Sequence, residues 1–187
     1  MIGWLARQET IIPNRANADE QTMLGPPSYR TPISAEFLGR IGLFGALDNN
    51  ALEQLAASLK TTMKEPGVFV FREGDASDGM YVVLHGELEV VKRSSVGVDA
   101  RVSLLGDGDW FGEMSLIDMQ PRSASVRSLA SSRLLAISPS DLEALYRHDA
   151  KSYHLLVLNI ARELCRRLRV ADGVLADMIV PPEAWIR

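Results

Sequence analysis

Apolar positions set the first pattern in this chain. From Ser34 onward, in SAEFLGRIGLFGAL, Phe37, Leu38, Ile41 and Phe44 recur at helical intervals, and Ser34 is placed to cap the first turn. DNNALEQLAASLKTTM continues in the same period with Leu52, Leu55 and Leu59 behind Asp48 or Asn49, and Pro66 and Gly67 end it. The period then changes. GVFVFREGD, GMYVVLHG, ELEVVKRS, ARVSLLGDGDWFG, SASVRSL and RLLAIS are short β-branched or aromatic runs separated by Gly and Asp turns. Turns about every 8 to 12 residues predict a small barrel or jelly roll, with roughly six to eight strands between Val68 and Ile137.

Helical spacing returns in SPSDLEALYRHDAKSYHLLVLNIARELCRRLRVADGVLADMIVPP, with Ser138 and Ser140 as candidate caps and Pro181 and Pro182 as a stop. Val157, Ala161, Leu164, Leu168, Ala171, Leu175 and Met178 alternate in steps of four and three, a coiled-coil seam. A second stripe, Leu156 and Ile160, is available to pack on the chain's own barrel. The narrow seam predicts a helix-to-helix homodimer; the alternative is that both stripes pack internally. Residues 1–33, with Pro13, Pro26, Pro27 and Pro32, lack sustained periodicity and read as a flexible leader. Its Ile2, Trp4, Leu5, Ile11 and Ile12 offer a sticky end that either stays mobile or folds back.

A chain of 187 residues accommodates one well-buried domain with extensions. With 20 Lys and Arg against 24 Asp and Glu, its net charge of -4 argues against a general nucleic-acid binder, which needs basic residues to neutralise phosphates. Any anion site must therefore be local. A single cysteine, Cys165, excludes an intramolecular disulfide and reads as a buried apolar thiol. No apolar run approaches the ~20 residues of a membrane helix, and the start lacks a secretory signal, so a cytoplasmic location is expected.

The candidate chemistry lies in FGEMSLIDMQPRSASV, residues 111–126. A turn entering a helix leaves backbone N–H groups pointing outward, and Gly112 permits close approach of an anion. Glu113 would repel a bare phosphate but accepts hydrogen bonds from hydroxyl groups such as those of a ribose. Arg122 offers a planar fork to phosphate oxygens, and Ser123 adds a hydroxyl. A carboxylate for sugar and an arginine for phosphate make a nucleotide-shaped set; the alternative is a structural ion pair between Glu113 and Arg122.

This stretch resembles the phosphate-binding cassette of the cyclic nucleotide-binding domain, as in the catabolite activator proteins and the regulatory subunits of cyclic-AMP-dependent protein kinase. Phe111, Gly112, Glu113, Pro121, Arg122, Ser123, Ala124 and Val126 match its keystones. FREGDASDGMYVVLHGELEVVK extends the likeness upstream, and the resemblance covers roughly residues 36–178. It implies an α+β fold: an eight-stranded antiparallel jelly-roll barrel (β-roll) with N-terminal helices and a long C-terminal dimerisation helix. The implied layout places N-terminal helices at 34–65, the β-roll at 66–137 and C-terminal helices at 138–180, with a tail at 181–187. It implies that Glu113 accepts the ribose 2'-hydroxyl, that Arg122 pairs with the cyclic phosphate, and that amides near Gly112, Met114 and Ser123 complete the cradle. Val90 and Val102 would line sugar and base, or else belong to the barrel core.

The family's C-terminal helix presents hydroxyl residues to the base where this chain has Ala171 and Asp172. Asp172 would meet the base edge by accepting from its N–H donors, or else be solvated; Trp185 would stack on the base. The preference between cAMP and cGMP stays open. After Ile179 only eight residues follow, so no helix-turn-helix and no DNA contact are expected. Arg162, Arg166, Arg167 and Arg169 read as a solvated helix face.

These features predict a stand-alone cAMP or cGMP receptor that signals to a partner protein by rearranging. The competing class is a ligand-independent interaction or dimerisation module. A jelly-roll metalloenzyme would need clustered histidines, and of His85, His148 and His154 only His85 lies among the strands. No catalytic arrangement, metal site or cofactor is predicted, and Asp107 and Asp109 read as turn chemistry.

Overall fold

The computed structural model describes residues 33–179. Residues 1–32 of the leader, Pro181, Pro182 and Trp185 lie outside the described residues. Helix α1 (Ala35–Gly39) is capped by the Ser34 hydroxyl, which accepts from Phe37 N at 3.1 Å. The apolar spacing from Ser34 predicts one continuous helix, but α1 stops and a 3-10 turn follows over Gly42–Phe44. Ile41 between them is extended, and this glycine-punctuated segment folds Leu38, Leu43 and Phe44 inward, all almost wholly buried. Helix α2 (Asn49–Ser58) is capped by Asp48, whose carboxylate accepts from Ala51 N at 2.8 Å.

The helical reading of residues 34–65 is corrected at its end. Leu59 is extended, and β1 (Lys60–Lys64) pairs antiparallel with β8 (Ser132–Ile137) from Lys60 opposite Ala136 to Lys64 opposite Ser132. The β-branched pair Thr61 and Thr62 suits this edge position, and backbone pairing along β8 overrides the helical spacing that Leu59 continues. The β-roll therefore begins at Lys60 instead of residue 66.

The other strands are β2 (Phe69–Phe71), β3 (Met80–His85), β4 (Leu88–Arg93), β5 (Asp99–Leu105), β6 (Trp110–Phe111) and β7 (Ser125–Ser128). They form two four-stranded antiparallel sheets, β1-β8-β3-β6 and β2-β7-β4-β5, giving the eight-stranded jelly roll. β3 is buried on both faces because alternate residues serve two cores. Met80, Val82 and Leu84 pack with the helices; Val83 joins Leu88, Leu105, Phe111, Val126 and Leu134 inside the roll.

Between β6 and β7 runs the short helix α3 (Met114–Asp118), ended by Met119 in the left-handed region. Helix α4 (Pro139–His148) starts with a capping box between Ser138 and Asp141, and α5 (Ala150–Ile179) follows at once. Leu156 and Ile160 of α5 are buried in the helix-side core, each worth about 1.5–3 kcal/mol. Asn159 fixes the same segment by donating to Leu43 O at 3.0 Å and Gly45 O at 2.9 Å. Beyond Arg167 every described side chain of α5 is exposed. Cys165 is likewise exposed, correcting the buried-thiol expectation: α5 has by then run past the hydrophobic core.

Candidate functional site

The loop between β2 and β3 is tied to the segment that carries Arg122. Gly74 N donates to Arg122 O and Arg122 N to Asp75 O, both at 2.9 Å, while Glu73 N donates to the Ser125 hydroxyl at 2.9 Å. Lys92 of β4 reaches over to Ser123 O at 2.5 Å and Glu73 Oε1 at 2.6 Å. Two sequence-distant loops are thereby tied together, and Arg122 enters the roll between them.

Arg122 is 2% exposed, an expensive place for a guanidinium unless its donors are met. Its Nη1 donates to Gly112 O at 3.0 Å and its Nη2 to Asp78 Oδ1 at 2.8 Å. The guanidinium carbon lies 4.0 Å from the Phe71 ring centre, a cation–π contact. The remaining donor, Nε, is buried and finds no partner among the described residues. Gly112 makes this approach possible: its φ is +83°, and a Cβ there would stand 2.7 Å from Arg122 Nη1.

Glu113 is also 2% exposed, at the mouth of α3. Burial pushes its carboxyl pKa above the usual carboxylate range, and the nearby Arg167 guanidinium opposes that rise. Arg167 Nη1 donates to Glu113 Oε1 at 2.9 Å. Thus Glu113 and Arg122 are not paired to each other; each has its own counter-ion, Arg167 and Asp78. Asp78 also meets the Tyr81 hydroxyl at 3.3 Å, and burial, with Asp78 beside it, pushes the tyrosine pKa up.

One cavity of about 90 Å³ brings Gly112, Glu113, Met114, Arg122, Ser123 and Val90 together, with Arg167 also on its wall. Ser123 Oγ lies 3.6 Å from Met114 Sδ. Val102 and Asp172 stand apart from this wall. Val102 is 60% exposed, on the edge strand β5 where every residue from Asp99 to Leu104 is exposed, and the register shift between Val90 and Val91 leaves it without a partner on β4; it belongs to neither barrel core nor cavity. Asp172 is exposed on the outer half of α5. Asp107 and Asp109 accept from Gly86 N at 2.8 Å and Gly106 N at 2.9 Å, as turn residues do. Among the described residues no group of His, Cys, Asp and Glu is arranged to hold a metal ion.

Sequence reasoning missed Asp78 and Arg167. Asp78 lies within the segment that carried the likeness upstream, FREGDASDGMYVVLHGELEVVK, where nothing marked it out from its polar neighbours. Arg167 corrects the solvated-face expectation for its cluster: Arg162 and Arg166 bond to Asn159 and Glu163 of α5 itself, but Arg167 reaches the roll. Its place three to four residues after Leu164 and Glu163 carried no signal of which helix face meets the cassette.

A family model described as the cyclic nucleotide-binding domain matches residues 63–149. A CRP-like cAMP-activated global transcriptional regulator of Mycobacterium tuberculosis is 28% identical over 144 residues, covering 77% of this chain and 62% of that protein. The Thermus thermophilus catabolite activator protein superposes with a TM-score of 0.66 at 32% identity, covering 73% of this chain and 62% of its own. The N-terminal domain of a Streptomyces coelicolor transcriptional regulator gives 0.63 at 31% identity, covering 70% of this chain and 94% of its own. The chain thus spans about three fifths of the Mycobacterium regulator, 62%. Among the described residues no helix is long and apolar enough to cross a membrane.

Proposed function

Because this chain belongs to the cyclic nucleotide-binding domain family, we propose that it is a receptor for cAMP or cGMP that passes its occupancy to a partner protein. The observation that carries this is the pair of buried, oppositely charged side chains, Arg122 and Glu113, on one cavity wall, with Arg122 Nε left unpartnered. The cyclic phosphate would accept from Arg122 and from amides near Gly112, Met114 and Ser123. The ribose 2'-hydroxyl would donate to Glu113, and Val90 would border the sugar. Asp172 would come to the base edge only if α5 moved or a second copy supplied it. We assign no chemical step to the site: its role is to bind, and binding shifts the protein only by its difference in affinity for two arrangements.

The exposed stripe of Leu168, Leu175 and Met178 on α5 supports a homodimer through this helix. A second reading, a ligand-independent interaction module, is favoured by one observation: both site charges already have protein counter-ions. Thermal denaturation with cAMP, cGMP and 5'-AMP decides between the two. A cyclic nucleotide at about 100-fold its dissociation constant adds about 2.7 kcal/mol of stability. No shift with either cyclic nucleotide selects the second reading.

A further inference from the structure

Strand β5 ends the β2-β7-β4-β5 sheet and pairs with β4 alone, so one row of its backbone N–H and C=O groups has no described strand beside it. Such a row is a template for another extended chain, and proteins commonly guard it with Pro, Lys or a covering loop. Every residue from Asp99 to Leu104 is exposed, and none is Pro or Lys. Ser94 N donates to Val98 O at 2.8 Å, and Ala100 lies opposite Lys92, so Val98 and Ala100 turn their backbone groups toward β4. Antiparallel ladders alternate, which leaves the N–H and C=O of Asp99 and Arg101 facing the open edge.

The side chains along this row complement a second copy of themselves. In Val98-Asp99-Ala100-Arg101-Val102 an apolar residue stands at each end and two opposite charges flank the centre. Laid antiparallel on another copy with Ala100 opposite Ala100, the segment sets Asp99 opposite Arg101 and Val98 opposite Val102, each pair twice. Opposite residues of an antiparallel pair share a face, so the ions meet and the valines meet. Val98 and Val102 are 62% and 60% exposed, and the Arg101 side chain is 57% exposed with Glu89 no closer than 3.9 Å. In this register each Asp99–Arg101 pair exchanges both of its N–H···O bonds, using the backbone groups that face outward. Sliding either way to the next equivalent register puts Asp99 on Asp99 or Arg101 on Arg101, and like charges directly opposite destabilise a pair.

We propose that the open edge of β5 is a self-association surface, which takes β5 of a second copy antiparallel about Ala100. The register shift at Val90 and Val91 bends the strand just beyond Val102 and confines the contact to this segment. Its area is small beside that of stable interfaces, so it forms at about millimolar chain concentration or between copies already held close. The surface is separate from the α5 seam and independent of what the cavity binds. Two different two-fold faces on one chain join dimers into a larger assembly.

The test places thiols one at a time in the full chain carrying Cys165→Ser, with Leu168→Glu and Leu175→Glu so that α5 does not bring copies together. In the proposed register the two residues 100 lie about 4.5 Å apart, within the span of a disulfide. The two residues 98 lie about 13 Å apart along the strands and do not reach each other. At about millimolar chain in a glutathione buffer, Ala100→Cys is expected to give covalent dimer on a non-reducing gel about tenfold faster than Val98→Cys. A mixture of Val98→Cys and Val102→Cys is expected to cross-link as Ala100→Cys does. Adding Arg101→Asp to Ala100→Cys sets acid against acid and is expected to slow the reaction about tenfold, and exchanging both charges, Asp99→Arg with Arg101→Asp, to restore it. Circular dichroism checks that each roll persists, and the double exchange decides if Arg101→Asp alone does not fold. Equal rates at residues 98 and 100, no covalent dimer from any thiol, or a rate at 100 indifferent to the charge changes overturns the pairing.

Discussion

Asp78 and Arg122 share a 2.8 Å hydrogen bond although their side chains are 75% and 1% exposed. The acid that balances the buried cation thus stands in water, so parting the pair re-solvates the carboxylate and leaves only the guanidinium to be satisfied by another anion. Arg122 can therefore turn its fork toward an incoming anion without leaving a buried carboxylate stranded. The bond to Gly112 O and the Phe71 ring keep the guanidinium oriented meanwhile.

Substituting Arg122→Lys retains the charge but loses the planar fork and Nε. A hydrogen bond to a charged group is worth about 1.5–3 kcal/mol, so cyclic nucleotide affinity is expected to fall by about one to two orders of magnitude. Isothermal titration calorimetry of the variant, with its melting temperature measured alongside, checks this. An affinity equal to wild type would remove Arg122 from the phosphate contact.

Gly112→Ala acts on the same guanidinium from the backbone side. The new Cβ would meet Nη1 at 2.7 Å, and the residue would have to hold φ at +83°. The left-handed conformation alone costs about 1–2 kcal/mol, and the displaced Arg122 adds to it. A lower urea midpoint and weakened nucleotide binding are both expected. Chemical denaturation followed by far-ultraviolet circular dichroism measures the first.

These two residues, with Glu113, were legible in the sequence because the cassette packs its chemistry into one contiguous stretch. The caps at Ser34, Asp48 and Ser138 were legible for a related reason, since a cap is a local bond over three residues. Their counter-ions were not. Asp78 meets Arg122 across 44 positions and Arg167 meets Glu113 across 54, distances over which only the tertiary fold sets the pairing. The face of α5 that meets the roll is set by Leu156, Ile160 and Asn159, so four nearby arginines looked alike. β1 was hidden because Leu59 keeps helical spacing just before the backbone turns to pair with β8, and Val102 was misplaced because the run carries no sign that β5 lies at a sheet edge and is exposed along its length.

The raised pKa of Glu113 makes a pH test possible. Burial is its main cause, so the folded protein holds this proton at pH values where the unfolded chain has released it. The charged form therefore subtracts from stability above the raised pKa, and that penalty fades as pH falls through it toward the ordinary carboxylate value. Glu113→Gln keeps an oxygen for Arg167 and removes the charge. It is expected to melt higher than wild type at neutral pH, with the difference shrinking as the buffer is taken into the acid range. Melting curves of both proteins across pH check the sign; a difference that grows on acidification would contradict burial as the dominant cause.

The outer half of α5 gives the last prediction. Leu168, Leu175 and Met178 are 61%, 57% and 79% exposed, and they continue the steps of four and three that begin at Val157 and Leu164, both half-buried. An isolated amphipathic helix end is marginal in water, and a row of large apolar side chains along it is stabilised only by covering the row. A second copy covers it with the same row, as a two-fold interface demands. Replacing Leu168 and Leu175 with Glu places like charges along that seam while leaving the roll and the Arg167 contacts untouched. Light scattering coupled to size exclusion is expected to show a dimer for wild type and a monomer for the double variant, with the β-roll's far-ultraviolet signal retained. A wild-type monomer at high micromolar concentration would leave the row to a different partner and withdraw the self-association.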